Sequence, residues 1–240
     1  MQVFLIIYIS TFCSCSESNS PVPEEIPPFE TDLCRNLYPP ADSVIATHTD
    51  FTKTNYPARI KVFQADTVDE GDIVMLGNSL TEQGGNWNIR LGKTNVKNRG
   101  IAGDNTDGVR ARLNEIICQK PSAVFLMIGT NDLFISYSAE KVAQNIDSIG
   151  SKLANALPST KIVVQTVMPL GIGNSKKTKL LNINNQLRSF ESTAYTLMDT
   201  YQHMANEAGD LPEEYTYDGV HLTNQGYERW IALIKSNLQE

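Results

Sequence analysis

The chain contains several short runs of mostly apolar residues, and these runs constrain its fold more than any other feature. The strongest of them span 72–77, 123–128 and 161–166. Uninterrupted apolar strands are typical of a sheet that is buried on both faces. Two weaker strands are predicted at 95–98 and 195–199.

Between and after these runs, apolar residues recur with the period of an amphipathic α-helix. The helical patterns comprise Tyr56, Ile60 and Phe63; Val109, Leu113, Ile116 and Ile117; Val142, Ile146, Ile149, Leu153 and Leu157; Leu180, Ile183 and Leu187; and Trp230, Ile231 and Ile234. Strands that alternate with helices predict a parallel sheet covered by helices on both faces and joined by right-handed crossovers. The expected fold class is therefore α/β, a three-layer α/β/α sandwich. Ligands of such sheets bind beyond the carboxyl ends of the strands, so the residues after each strand are the candidates for a site.

Charge and cysteine content exclude several classes of protein. The 240 residues include 27 acidic and 20 basic side chains, a formal charge of −7, which argues against a nucleic-acid partner. The four cysteines form no CxxC pair and are too few for a disulfide scaffold, so no metal and no cofactor are expected. A disulfide between Cys34 and Cys118 is permitted in an oxidising compartment, but two unpaired thiols are the expected state.

The amino-terminal region differs in composition from the rest of the chain. An apolar run at 3–12 is too short to span a bilayer but has the length expected of an export signal, which we place at 1–15. Residues 16–40 are rich in Ser, Pro and Glu and are expected to form a flexible tether to a folded domain at 41–240. Cys15 resembles the lipidation site of bacterial lipoproteins. The alternatives are membrane attachment through lipidated Cys15 and a plain secreted protein, and both place the domain in the periplasm, on the cell surface or in the medium.

Polar residues that could carry chemistry follow three of the predicted strands and occur again near the carboxyl terminus. They are found in the segments 77–81 (GNSLT), 98–106 (NRGIAGDNT), 129–132 (GTND) and 218–221 (DGVH). Ser, His and Asp side chains, with Gly and Asn as hydrogen-bond donors, supply the nucleophile, base, orienting carboxylate and oxyanion donors of acyl transfer. The pattern therefore indicates acyl-transfer chemistry.

Asp218 and His221 are the candidate acid and base. On a helical turn, side chains three residues apart are neighbours, so the carboxylate could orient the imidazole. A neutral imidazole whose tautomer is fixed in this way can take a proton from a serine hydroxyl. Alone, an Asp-x-x-His pair is more often a cap or a surface turn.

Ser79, Gly103 and Asn131 are the candidate nucleophile and oxyanion donors. Ser79 lies at the predicted start of a helix, where main-chain N–H groups lack partners and the helix dipole favours negative charge. The Gly103 N–H carries no side chain that would obstruct a substrate, and the Asn131 amide can point to the same oxygen. Taken singly, Ser79 and Asn131 would be helix caps and Gly103 a turn glycine.

The blocks GNSLT, NRGIAGDNT, IGTND and YDGVHL together resemble those of the SGNH or GDSL-type hydrolases, from about Gly71 to the carboxyl terminus. The resemblance extends to the platelet-activating-factor acetylhydrolase-like and carbohydrate acetylesterase branches of that family. It implies a flavodoxin-like fold with a central five-stranded parallel sheet. It also implies that Ser79 is the nucleophile, that Asp218 and His221 complete a triad, and that the oxyanion hole consists of the Ser79 and Gly103 N–H groups and the Asn131 amide.

Asn78 departs from the family pattern, which reads Gly-Asp-Ser-Leu at this place. An Asn keeps the size and the acceptor oxygen of an Asp but loses its charge. We therefore expect a hydrogen bond near Ser79 to differ and the activity to survive.

Other classes fit the sequence less well. An α/β-hydrolase would have G-x-S-x-G at the nucleophile, where Thr81 stands here, and a Rossmann dehydrogenase would have G-x-G-x-x-G after the first strand. A non-catalytic glycan-binding homologue would have no need of a paired acid and base. The expected function is hydrolysis of acetyl esters on carbohydrates, with a phospholipid or lysophospholipid acylhydrolase as the alternative. Trp87 could stack on a sugar ring, but a place in the core is expected for it.

Overall fold

The structure is a computed structural model, and it describes residues 33–190 and 192–239. The predicted export signal at 1–15, including Cys15, lies outside the described residues. The predicted tether extends to residue 40, but its last part, residues 33–40, is attached to the domain. Leu33 packs against the main core cluster, and the Tyr38 hydroxyl donates to the Phe63 carbonyl at 3.1 Å.

Five parallel strands form one sheet in the order β2-β1-β3-β4-β5. The elements along the chain are α1 (Asp50–Ala65), β1 (Ile73–Gly77), α2 (Ser79–Glu82), α3 (Trp87–Leu91), β2 (Val96–Gly100), α4 (Thr106–Ala111), α5 (Asn114–Gln119), β3 (Ala123–Met127), α6 (Ala139–Ala156), β4 (Lys161–Gln165), α7 (Lys177–Ser189), β5 (Thr196–Met198), α8 (Thr200–Met204) and α9 (Asn224–Gln239), with 3₁₀ turns at Asn131–Phe134 and Glu213–Tyr215. The predicted α/β class and the five-stranded parallel sheet are confirmed.

Alternate residues of each central strand enter different core clusters, which gives the sandwich its three layers. Val74 and Leu76 of β1 pack with α6 and α7, whereas Ile73 and Met75 pack with α3 and α9. Side chains of successive strand residues point to opposite faces of a sheet. Because both faces are covered, every residue of β1 and of β3 is buried, as their apolar sequences predict.

Trp87 lies in the second of these clusters and is 1% exposed. Its ring meets that of Trp230 edge-to-face at 5.3 Å, and its indole N–H donates to the Thr81 carbonyl at 2.9 Å. The expected core position is confirmed, and a sugar-stacking role for Trp87 is excluded by its burial.

The single helix predicted from Val109 to Ile117 is two short helices, α4 and α5. The break falls at Arg112, whose backbone leaves the helical region (φ −120°, ψ 25°) and whose guanidinium is buried. That guanidinium donates to the Gly77 and Arg99 carbonyls and to the Asp104 carboxylate. These tertiary hydrogen bonds favour an inward-pointing side chain over a continuous helix.

The expectation of two unpaired thiols is wrong, because Cys34 and Cys118 form a disulfide. Cys118 lies near the end of α5 and Cys34 in the segment before α1, 84 positions away in sequence. The bond joins the amino-terminal end of the described chain to the sandwich. Within the described residues, none of the helices is both long and apolar enough to cross a membrane.

Candidate active site

Ser79 is the first residue of α2 and is separated from β1 only by Asn78. Asn78 caps this helix, since its Oδ1 accepts from the Leu80 N–H at 3.0 Å. Asn78 therefore supplies an acceptor in place of the family's Asp, and its Nδ2 is buried with no hydrogen-bond partner among the described residues. Gly77 precedes the cap because a Cβ there would lie 2.3 Å from the Met127 carbonyl oxygen on the neighbouring strand. The tight strand-to-helix turn leaves Ser79 7% exposed at the carboxyl edge of the sheet.

Asp218 and His221 lie in the loop that precedes α9, so the predicted helical turn is wrong. The Asp218 Oδ1 instead accepts from the Val220 and His221 N–H groups at 2.9 and 2.7 Å. Gly219 between them has φ +84°, a conformation that suits glycine and reverses the chain. This side-chain-to-main-chain turn, and not a helix, places the carboxylate beside the imidazole.

The structure brings Ser79, His221 and Asp218 into one continuous line of hydrogen bonds. His221 Nε2 lies 2.9 Å from Ser79 Oγ, across 142 positions of sequence, and His221 Nδ1 lies 2.6 Å from Asp218 Oδ2. A neutral imidazole with its proton on Nδ1 would donate to the carboxylate and accept from the serine hydroxyl. Partial burial opposes ionisation of Asp218, but hydrogen bonds from the His221 side chain and from the His221 and Val220 N–H groups outweigh it and lower the pKa of this carboxyl. A carboxylate is thus available to orient the ring and to stabilise an imidazolium.

Gly103 lies between the helix of the nucleophile and Asn131. The N–H of Ala102 donates to Glu82 Oε2 of α2, and the carbonyl of Asp104 accepts from Asn131 Nδ2 at 2.7 Å. Gly103 has φ +83°, and a Cβ would lie 2.1 Å from Thr52 Oγ1, so no larger residue fits. The loop that carries the Gly103 N–H is therefore fixed on both sides. Asn131 starts a 3₁₀ turn after β3, and its amide has a second N–H beyond the one given to Asp104.

A buried polar network supports this loop from below. The Asp104 carboxylate accepts from Arg112 Nε and Nη2 at 3.1 and 2.9 Å, and its Oδ1 lies 3.0 Å from His48 Nε2. Arg112 also donates to the carbonyl of Gly77, two residues before Ser79. Sequence reasoning missed these three residues, because nothing in a helical pattern or in a lone His marks a charged side chain as buried.

Asp132, next to Asn131, is fully buried, and its carboxylate accepts hydrogen bonds from the N–H and the hydroxyl of Thr106. Burial raises the pKa of Asp132 to about 6, against the opposing effect of the Thr106 hydrogen bonds. The same carboxylate thus fixes the start of α4 and the turn that carries Asn131.

No three His, Cys, Asp or Glu side chains lie close enough to hold a metal ion within the part of the chain that the structure describes. At the sheet edge, a hydroxyl, an imidazole and a carboxylate are hydrogen-bonded in the order found in the catalytic triad of serine hydrolases. Residues 75–229 match the model of the GDSL-like Lipase/Acylhydrolase family, and the chain belongs to that family. The domain is accordingly an ester-hydrolysing enzyme.

The crystal structure of a GDSL-like lipase from Bacteroides thetaiotaomicron is similar to this fold. The TM-score is 0.67 at 27% sequence identity, and the match covers 77% of this chain and 97% of that chain. The two proteins therefore share the architecture that carries the site.

Three curated proteins also resemble this chain. An N-acylneuraminate cytidylyltransferase from Escherichia coli is 28% identical over 65% of this chain, and the chain spans only 38% of that protein's length. A Drosophila melanogaster homologue of the platelet-activating factor acetylhydrolase IB subunit beta is 25% identical over 66% of this chain and 73% of its own length. An uncharacterised lipoprotein from Bacillus subtilis is 27% identical over 50% of this chain and 58% of its own length.

Proposed function

We propose that this protein is a serine esterase that uses Ser79 as nucleophile, His221 as base and Asp218 as the orienting carboxylate. The observation that carries the proposal is the unbroken contact from Ser79 Oγ through the imidazole to Asp218 Oδ2. The same contact disfavours the alternative of a non-catalytic glycan-binding homologue, because binding alone needs no hydroxyl in contact with an oriented base.

In the proposed reaction, His221 Nε2 accepts the Ser79 proton as Oγ attacks the ester carbonyl. The N–H groups of Ser79 and Gly103 and the free N–H of the Asn131 amide donate to the oxyanion that forms. His221 then protonates the departing alcohol. A water deprotonated by His221 releases the acid and restores Ser79.

For the substrate we propose short acyl esters, acetyl esters in particular, of carbohydrates. The carbohydrate acetylesterase-like blocks of the sequence support this choice, and the related Escherichia coli protein is named for a sugar substrate, an N-acylneuraminate. The second candidate is a phospholipid or lysophospholipid ester, which is favoured by the Drosophila relative of platelet-activating factor acetylhydrolase.

The first experiment measures release of chromophore from p-nitrophenyl acetate by the wild-type protein and by Ser79→Ala. We expect turnover by the wild type alone, and equal rates for the two proteins would contradict the proposal. Acetate release from acetylated xylan, pectin and sialic acids, compared with fatty-acid release from lysophospholipids, then decides between the two substrate classes.

We also propose that the protein is exported. The Cys34–Cys118 disulfide supports export, since structural disulfides persist in oxidising compartments. A relationship to a Bacillus subtilis lipoprotein is compatible with lipidation at Cys15. Metabolic labelling with a fatty-acid analogue, compared between wild type and Cys15→Ser, tests the membrane attachment.

A further inference from the structure

A cavity of about 400 Å³, open to solvent, adjoins the candidate triad on the Asp218 side. Its walls come from the loop after β4 and from the segment before α9 that carries Asp218 and His221. They include Ile172, Asn174, Glu213, Tyr217 and Asp218. Small-molecule sites of proteins have volumes of about 300–1,000 Å³, so the cavity is large enough for a ligand.

The loops that form this cavity are held together through main-chain contacts. Gly171 donates its N–H to the Gly219 carbonyl at 2.7 Å, and a Cβ on Gly171 would lie 2.7 Å from the Gly219 Cα. Gly219 stands between Asp218 and Val220 in the turn that orients the carboxylate. The cavity is therefore built on the same turn as the candidate triad.

Tyr217 is the aromatic wall of the cavity, and its position is fixed from two sides. Its ring stacks on the His221 imidazole with centroids 5.9 Å apart and an interplanar angle of 15°. Its hydroxyl donates to Gln83 Oε1 at 2.9 Å, at the end of the nucleophile's helix. Even so, the residue is 63% exposed. A large, pre-positioned and exposed aromatic ring is thus available beside the candidate base.

The direction of the reaction assigns the cavity to one half of the substrate. The oxyanion faces Gly103 and Asn131, whereas the departing oxygen must face His221 Nε2, which protonates it. An alcohol half that extends past His221 would meet Tyr217, whose ring stacks on the imidazole and lines the cavity.

The chemistry of the walls indicates what this alcohol is. Glu213 and Asp218 are carboxylates, Asn174 is an amide, and no basic side chain lines the cavity within the described residues. A phosphate group would meet negative charge there and no cation. An uncharged sugar ring can lay its apolar face on Tyr217 and hydrogen-bond to the amide, to Glu213 and to main-chain groups.

We propose that this cavity is the leaving-group subsite, that it takes an uncharged sugar ring, and that Tyr217 determines specificity for it. The inference rests on the proposed esterase function and names the part of the substrate that the cavity recognises.

The test compares two substrates that share the acetyl group: ethyl acetate, whose alcohol is too small to reach the cavity, and acetylated xylo-oligosaccharides. We expect Tyr217→Ala to lower kcat/KM for the sugar ester about 2- to 12-fold more than for ethyl acetate, mainly through KM, since stacking on an aromatic ring contributes about 0.5–1.5 kcal/mol beyond buried area. Tyr217→Trp should retain the preference for the sugar ester. Ile89→Ala, which removes another exposed large side chain (79% exposed), is the matched control and should leave the ratio of the two values unchanged.

Glu213→Gln provides a second readout. It should raise activity on an acetylated sialic acid, which is anionic, relative to the neutral sugar ester, and the effect should shrink in high salt as exposed charges are screened.

Equal losses for both substrates in Tyr217→Ala would overturn the inference and leave the esterase function intact, because the ring would then only orient His221. A Tyr217-dependent preference for acetylcholine over the sugar ester would also overturn it, because the ring and the carboxylates would then bind a cation. If the wild type hydrolyses neither ethyl acetate nor p-nitrophenyl acetate, the proposed function itself fails.

Discussion

The role of the Asn131 side chain at the site can be tested directly by mutation. It gives one amide hydrogen to the Asp104 carbonyl and has a second one for an oxyanion. We expect Asn131→Ala to lower kcat ~10²–10³-fold with a smaller effect on KM, as the loss of one such donor does in other enzymes. Steady-state kinetics on p-nitrophenyl acetate measure this, with circular dichroism as the check on folding. An unchanged kcat would remove Asn131 from the oxyanion hole.

The raised pKa of the buried Asp132 carboxyl makes the free energy of unfolding depend on pH. Its pKa in the folded protein is raised to about 6, so between about pH 4 and 6 the folded state holds a proton that the unfolded state has released. The contribution of this group to stability is therefore full at low pH and is lost as the pH rises through about 6. Asp132→Asn removes the loss, so its free energy of unfolding relative to wild type should rise between pH 4 and 7, by no more than about 3 kcal/mol.

Urea unfolding of both proteins across that pH range tests the prediction, and a constant difference would contradict it. Asp199 is the matched control, because its pKa is shifted in the opposite direction. Burial opposes its ionisation, but hydrogen bonds from Arg188, Gln202 and Thr166 lower its pKa. The ionised Asp199 stabilises the fold at neutral pH, and this stabilisation is lost as the pH falls. The difference in free energy of unfolding between wild type and Asp199→Asn should therefore shrink in acid.

The five candidate site residues could be located from the sequence. Ser79, Gly103 and Asn131 belong to short polar blocks that follow strands, and Asp218 and His221 form such a block near the carboxyl terminus. His48, Asp104 and Arg112 could not be assigned a role in the same way. Their significance comes from burial and mutual contact, and both depend on how the segment before α1, the loop after β2 and the α4–α5 break meet in space. A single sequence carries no periodic signal for such a network.

Among the elements, the strands and long helices were predicted from their hydrophobic patterns, whereas the break between α4 and α5 and the turn at Asp218 were not. The pattern from Val109 to Ile117 correctly predicts helical structure. The break at Arg112 could not be predicted, because it depends on hydrogen bonds to Gly77, Arg99 and Asp104 that form only in the folded protein. Likewise, the spacing of Asp218 and His221 fits a helical turn as well as the loop that is present. Spacing alone does not distinguish the two.

The disulfide that joins the amino-terminal segment to α5 contributes to the stability of the fold. Because it closes a loop of 84 positions, chain-entropy reasoning predicts that the Cys34→Ser/Cys118→Ser double variant loses about 4.6 kcal/mol of unfolding free energy. Urea denaturation of the oxidised wild type and the double variant measures the difference. Equal stabilities would show that the disulfide does not hold this segment to the fold.

For the whole molecule, the order of the strands explains how distant residues converge. β1 lies between β2 and β3, so the loops that carry Ser79, Gly103 and Asn131 emerge side by side at one edge of the sheet. The loop before α9 then returns across that edge and brings His221 to Ser79. Alternation of strands and helices predicted the parallel sheet, whereas the path of the returning loop depends on the packing of α9 against the second core cluster.

The central claim is that Ser79 is a nucleophile made reactive by His221, and covalent labelling tests it most directly. The intact protein is treated with a p-nitrophenyl phosphonate ester, which traps activated serines, and the adduct is located by mass spectrometry of its peptides. We expect one adduct, on Ser79, that is absent from Ser79→Ala and forms far more slowly in His221→Ala. An adduct on another residue, or labelling of His221→Ala at the wild-type rate, would contradict the account.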